Sequence, residues 1–216
     1  MKKLMPFRNV PTFMLLCGLL QFSTVALADD GGSDADPHAH HKAMLAAENR
    51  YTRVEADYAL PDVAGITSAG KHATLAELVD SGSPVIVSFI FTSCQTICPV
   101  LTAILSQAQR DLAKQRIQPR IISFSIDPEY DTPQRMRDYA ASFHAADNWL
   151  FVTGDIDSML EVQKAFDAYR GDKLNHIPLT FIRLSGEEPW IRMEGFMSAS
   201  DLVREYQSLL DAPEKS

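Results

Sequence analysis

Positive charge is scarce in this chain. Its 216 residues include 20 Lys and Arg against 28 Asp and Glu, a formal net charge of −8. That balance excludes nucleic acid and an anionic membrane surface as expected partners, because both are held by surplus Lys and Arg. Cysteine is scarce too, with three residues in all, too few for a framework of disulfides. A bilayer span needs ~20 mostly apolar residues. The longest candidate, Val10 to Leu27, is broken by Pro11, Gln21, Ser23 and Thr24. The chain also lacks a Gly-rich phosphate loop, a metalloprotease helix motif and an internal repeat.

What is present is enough apolar material for a core, with 46% hydrophobic and 22% charged residues. The first 28 residues read as a secretory signal. Met1 to Arg8 is basic, the apolar stretch follows, and Ala26-Leu27-Ala28 is a small-x-small cleavage site. An uncleaved anchor in the inner membrane is the alternative. Cleavage would leave 17 basic and 28 acidic residues, a net charge of −11. It would also remove Cys17, leaving Cys94 and Cys98 in an oxidising compartment. A pair four residues apart closes almost no loop and adds little stability as a staple. Chemistry is therefore the stronger reading, against two cysteines packed as small hydrophobes.

Residues 29–57 read as a flexible acidic tail carrying His38, His40 and His41, and residues 58–212 as one domain. Leu60 to Ala64 and Lys71 to Leu75 are expected to form a hairpin, and Thr74-x-x-Glu77 spells a capping box. Val85 to Phe91 is nearly all apolar, as in a strand buried on both faces. Pro99 is expected to open a helix to Lys114, with Val100, Ile104, Ala108 and Leu112 inward. Arg120 to Asp127 is the second strand, and Thr132-Pro133 caps a helix lined by Met136, Tyr139, Ala140 and Phe143. Trp149 to Thr153 follows as a third strand, then a helix lined by Met159, Val162, Phe166 and Tyr169. Leu179 to Leu184 and Trp190 to Glu194 read as a hairpin turning at Ser185-Gly186. Ser198-x-x-Asp201 opens the last helix, with Leu202, Tyr206 and Leu209 inward. This alternation predicts an α/β domain whose central mixed sheet is flanked by helices.

Cys94 and Cys98 lie where the buried strand gives way to a helix. Free N–H groups and the positive end of the helix favour thiolates there, so both cysteine pKa values are expected to fall. The run Phe91-Thr92-x-Cys94-x-x-x-Cys98-Pro99 resembles the signature of the Sco/SenC family. Ser125-Ile126-Asp127-Pro128-Glu129-x-Asp131-Thr132-Pro133 resembles that family's second block. The likeness runs from about Tyr58 to Leu210. It implies a thioredoxin-like fold, in the periplasm or on a membrane facing it. It also implies copper, Cu(I) or Cu(II), bound by two cysteines and one histidine. The implied role is assembly of the copper site of cytochrome c oxidase. The implied partner is an oxidase subunit or another copper-handling protein, met by a monomer. The family also includes members thought to act as thiol–disulfide reductants.

The family's histidine maps onto His176, in the loop before the strand at Leu179. Two sulfurs and an imidazole suit copper in either oxidation state. A zinc site on the same three residues carries less weight. The departure from the family pattern is Ile177-Pro178, which resembles the proline loop beside the active disulfide of thioredoxins. It favours the alternative function, a thiol–disulfide oxidoreductase in which Cys94 attacks and Cys98 resolves. Asp127, Glu129 and Asp131 form an acidic loop that either tunes the site or serves the following helix start. Met193 and Met197 are expected to be core residues.

Overall fold

The computed structural model describes residues 51–80, 82, 84–184 and 189–211. The expected leader, the three histidines of the tail and the turn at Ser185-Gly186 lie outside them.

Among the described residues, eight strands form one mixed sheet. They are β1 (Thr52–Ala56), β2 (Ala64–Thr67), β3 (His72–Thr74), β4 (Val85–Ile90), β5 (Arg120–Ser125), β6 (Trp149–Thr153), β7 (Leu179–Arg183) and β8 (Trp190–Glu194). Five α-helices accompany them among the described residues: α1 (Leu75–Val79), α2 (Ile97–Lys114), α3 (Pro133–Ser142), α4 (Ile156–Ala165) and α5 (Ala199–Leu210). The sheet order is β1-β8-β7-β4-β5-β6-β2-β3. β4, β5 and β6 run parallel, as helical crossovers require, while β7 and β8 return antiparallel on the other side of β4. A central strand leading into a cysteine loop and helix, beside a parallel strand and an antiparallel hairpin, is a thioredoxin-like arrangement.

Two apolar layers cover the sheet. Ile86, Ile90, Ile121, Phe151 and Ile182 meet Leu101, Leu105 and Leu112 of α2, Met136 of α3 and Leu202 and Tyr206 of α5. Val87, Phe89, Ile122 and Phe181 meet Leu75 and Leu78 of α1 and Met159 and Val162 of α4, with Phe166 and Trp190. All six β4 residues are buried, because alternate side chains enter opposite layers. Met193 and Met197 are core residues, as expected. The capping boxes at Thr74/Glu77 and Ser198/Asp201 form, and Thr132 caps α3 ahead of Pro133.

Several local expectations need correction. Thr52–Ala56 is a strand paired with β8, although residues 29–57 read as tail. Its largely exposed side chains hide the signal, and tertiary pairing makes the strand. The first hairpin is displaced, with Ala64–Thr67 paired to His72–Thr74. α2 starts at Ile97 rather than Pro99, and its buried stripe is Leu101, Leu105, Ala108 and Leu112. Val100 is 47% exposed. A repeat of four drifts off a 3.6-residue period, so a face read at its end does not hold at its start. Tyr169 lies beyond α4 and is exposed.

Candidate metal and thiol site

The site lies where β4 ends. Parallel strands and their crossovers leave free loops at their carboxyl ends, and β7 runs antiparallel to β4 with Ser88 opposite Thr180. The loop after β4, which carries the cysteines, and the loop before β7, which carries His176, therefore share one edge of the sheet.

The cysteine loop is a tight turn, with the Cys94 N–H donating to the Phe91 carbonyl at 3.1 Å. Thr96 stands at the N-cap of α2 but makes no side-chain capping bond. The Cys94 sulfur occupies that role instead, accepting from the Cys98 N–H at 3.4 Å. Pro99 falls in the first helical turn, where a missing N–H leaves no helical bond unmade. The Thr96 hydroxyl lies 3.8 Å from the Cys94 sulfur. The Cys98 sulfur accepts from the Phe91 N–H at 3.5 Å and is completely buried.

These surroundings separate the two thiols. At Cys94 burial opposes ionisation, but hydrogen bonds from the Cys98 and Thr96 backbone, and contacts with the Cys98 and Thr96 side chains, outweigh it. The Cys94 pKa is lowered. At Cys98 burial dominates the Phe91 N–H, and Cys94 and Asp131 add to it, so its pKa is raised. The expectation that both would fall thus holds for Cys94 only. Cys98 points into the core, where lost hydration outweighs the helix terminus. Cys94 is half-buried, and both thiols are free.

His176 is 4% exposed. It follows a short 3₁₀ turn, Lys173–Asn175, capped by Asp172. Its ring hydrogen-bonds the Phe89 backbone, and its Nε2 is buried with no partner among the described residues. Nδ1 is then the donor to the Phe89 carbonyl, which leaves the Nε2 lone pair free. Burial lowers the His176 pKa from 6.5 to about 4, so the imidazole is neutral near pH 7. A neutral ring fixed through Nδ1 is the form that ligates metals. The Phe91 ring meets His176 edge-on, with centroids 6.4 Å apart, while the Phe91 N–H touches Cys98. Phe91 thus lies beside both the cysteine pair and the histidine. Among the described residues no three His, Cys, Asp or Glu side chains converge on one metal position. The structure brings Cys94 and Cys98 together and places His176 on the same edge, with its free nitrogen still packed away.

The acidic loop is more ordered than its sequence indicates. Asp131 is completely buried. Its carboxylate accepts from the Thr92 N–H at 3.1 Å, the Thr92 hydroxyl at 2.5 Å and the Ser125 hydroxyl at 2.6 Å. Thr102, on α2 one turn past Cys98, donates to the Cys98 carbonyl at 2.7 Å and lies 2.9 Å from the Tyr139 hydroxyl. Thr92, Thr102 and Tyr139 were not picked out as site residues from the sequence. Only Thr92 had a signal, its place in the cysteine motif.

A family model described as SCO1/SenC matches residues 47–179. The chain belongs to the SCO1/SenC family. It is similar to the SCO1 protein homolog of Bacillus subtilis, 43% identical over 93 residues, which is 43% of this chain and 47% of that protein. The chain thus spans about half the length of that curated relative. Among solved structures it resembles BsSco, a member of the Sco family of cytochrome c oxidase assembly proteins with a disulfide switch. They are 29% identical with a TM-score of 0.62, covering 73% of this chain and 96% of BsSco. Arabidopsis thaliana ScoI, solved with copper bound, shares the fold at 22% identity and a TM-score of 0.59, covering 68% and 95%. No described helix is long and apolar enough to cross a membrane.

Proposed function

We propose that this chain is an exported copper-binding protein that takes up and delivers copper through Cys94, Cys98 and His176, in the assembly of cytochrome c oxidase. The observation that carries the reading is the buried Nε2 of His176, without a hydrogen-bond partner among the described residues, on the edge that holds two cysteines at one helix start. An orphaned buried nitrogen costs stability. Its retention on the sheet edge that carries the two sulfurs is accounted for by a ligand that it meets when loaded. Two thiolates and a neutral imidazole form a soft donor set that suits Cu(I) and Cu(II). Family membership supports the same cargo and the same partner, an oxidase subunit.

The residues have distinct parts in uptake. Cys94 is the less buried, more readily ionised thiol and makes first contact. Cys98 must lose a tightly held proton, so uptake releases protons and strengthens as pH rises. His176 must turn its Nε2 toward the sulfurs, a movement of its loop past Phe91. The basic, apolar leader 1–28 would direct the chain to the periplasm.

A second reading rests on the opposite thiol shifts. In thiol–disulfide exchange the Cys94 thiolate attacks a partner disulfide, one new S–S bond forms, and the partner's second sulfur leaves as thiolate. Cys98 then attacks Cys94, releasing the reduced partner and leaving Cys94–Cys98 oxidised. A half-buried attacker of lowered pKa with a fully buried resolver has the form that this chemistry uses.

Titration of the reduced protein with Cu(II) separates the two. Copper uptake gives sulfur-to-copper charge-transfer absorption that is lost in Cys94→Ser and Cys98→Ser and altered in His176→Ala. A colourless wild type, with no difference among the variants, overturns the copper reading. A strongly reducing Cys94–Cys98 couple without copper binding establishes the exchanger.

A further inference from the structure

The Ser125–Asp131 loop touches both halves of the candidate site. Toward the cysteines, Asp131 holds the backbone and hydroxyl of Thr92, two residues before Cys94. Ser125 links this arm to the next, since its hydroxyl donates to Asp131 at 2.6 Å and accepts from the Asp127 N–H at 3.0 Å. Toward the histidine, the Asp127 carboxylate accepts from Lys173 Nζ at 2.5 Å. Lys173 opens the 3₁₀ turn, and its carbonyl accepts from the His176 N–H at 3.2 Å. The Lys173 ammonium also lies 5.8 Å from the centre of the Phe91 ring, the ring that packs on His176.

This ion pair differs from an ordinary surface bridge. Asp127 retains only 9% of its side-chain exposure, while Lys173 retains 41%. Exposed pairs contribute little to stability and hold little in place. A carboxylate withdrawn from water depends far more on its partner, because an unpaired buried charge is costly. Behind His176 the chain is fixed by the sheet, where the Pro178 carbonyl accepts from the Gly195 N–H at 2.9 Å. Ahead of His176, Asp127–Lys173 ties the 3₁₀ turn to another segment, in addition to the bond of the His176 ring itself to the Phe89 backbone. A cavity of about 200 Å³ lies beside it, lined by Asp127, Tyr169, Arg170, Lys173 and His176 among others. The 3₁₀ turn that carries the histidine therefore has room to shift once that pair is broken, with the Phe89 bond left as the remaining restraint on the ring.

We propose that Asp127 and Lys173 are positioning residues that set the resting place of His176, and that the Ser125–Asp131 loop couples this histidine to the cysteine loop through Asp131 and Thr92. The functional weight of the coupling rests on His176 being a copper ligand, but the coupling itself is a property of the copper-free chain.

The test uses reduced, copper-free full chain with isotope-labelled histidine. The His176 ring resonances are compared in wild type, Lys173→Met, Asp127→Asn, the double variant, Lys173→Arg, and Arg204→Met as a remote control. The two single variants should shift or broaden the His176 signals. The double variant should match them without adding to them, and Lys173→Arg should restore the wild-type spectrum. Cu(II) titration should show affinity falling roughly ten- to hundredfold in the single variants, the size seen when groups behind a metal ligand are removed. Unchanged far-UV circular dichroism reports that each variant is folded, and a Cys94 alkylation rate altered in the single variants and restored in Lys173→Arg reports the coupling to the cysteine loop, whereas an unaltered rate overturns that coupling. His176 signals that move no more than in Arg204→Met overturn the proposal. Absence of copper binding in the wild type overturns the copper reading instead, and the His176 resonances with the Cys94 alkylation rates still decide the positioning and the coupling.

Discussion

Asp131→Ala removes an acceptor with no exposure to water that serves three donors. The Thr92 and Ser125 hydroxyls can rotate toward other acceptors, but the Thr92 amide cannot. A buried donor left unpaired costs about 1–3 kcal/mol, and each lost hydroxyl bond about 0.5–1.5 kcal/mol. The carboxylate's own burial acts in the other direction. Desolvation raises the Asp131 pKa against the hydrogen bonds from Ser125 and Thr92, and the Asp127 charge adds to the rise. A carboxyl with a raised folded pKa stabilises the fold fully only below its unfolded pKa. That contribution is lost as pH rises through the folded value. At neutral pH the wild type therefore carries a penalty that either substitution relieves. The net expectation is a loss of about 2–4 kcal/mol for Asp131→Ala. Asp131→Asn should lose about 1 kcal/mol, since its carbonyl still accepts from Thr92 and only Ser125 must reorient. Urea unfolding reads both as midpoint shifts at constant slope, against a total of about 5–15 kcal/mol. An alanine variant within about 0.5 kcal/mol of wild type, or an asparagine variant as unstable as alanine, would refute the reasoning.

Iodoacetamide should label Cys94 first, with a rate that levels off below the ordinary thiol pKa, and should reach Cys98 only on unfolding; equal labelling contradicts the assigned surroundings. His176, with its pKa lowered from 6.5 to about 4, contributes stability that is complete above pH 6.5 and lost as pH falls toward 4. That amounts to about 3 kcal/mol, and His176→Leu should flatten the acid limb of a stability–pH profile across that window. Gly65→Ala would place a Cβ 2.5 Å from Val152 Cγ1 and 3.0 Å from the Thr153 carbonyl. Thermal unfolding should show a loss of about 1–3 kcal/mol, and no loss means that the β2–β6 contact is looser than described.

Much of the fold was legible where a segment faces a single strong environment. Val85 to Ile90 is apolar at nearly every position because both faces of β4 are covered, so its pattern needed no context. The capping boxes of α1 and α5 and the Thr132-Pro133 start of α3 were legible because their bonds close within four residues. β1 was missed because its side chains are largely exposed and its stabilising bonds lie on β8, far along the chain. The inward face of α2 was misjudged at its start, since each four-residue step turns about 40° past a full turn and so carries Val100 off the face that holds Ala108 and Leu112.

The sequence by itself determined that two closely spaced cysteines stand at a strand-to-helix junction, with one histidine ahead of a later strand. It could do so because spacing and apolar pattern are local. Only the tertiary structure decided that the two thiols differ. Cys94 keeps contact with solvent and gathers the free N–H groups of α2, while Cys98 turns into the core, where desolvation dominates. The structure alone also showed that His176 is buried with a free Nε2, and that Asp131 and Asp127 join loops more than thirty residues apart. Burial and long-range hydrogen bonds depend on what the rest of the chain packs against a residue, and no stretch of neighbouring sequence records that.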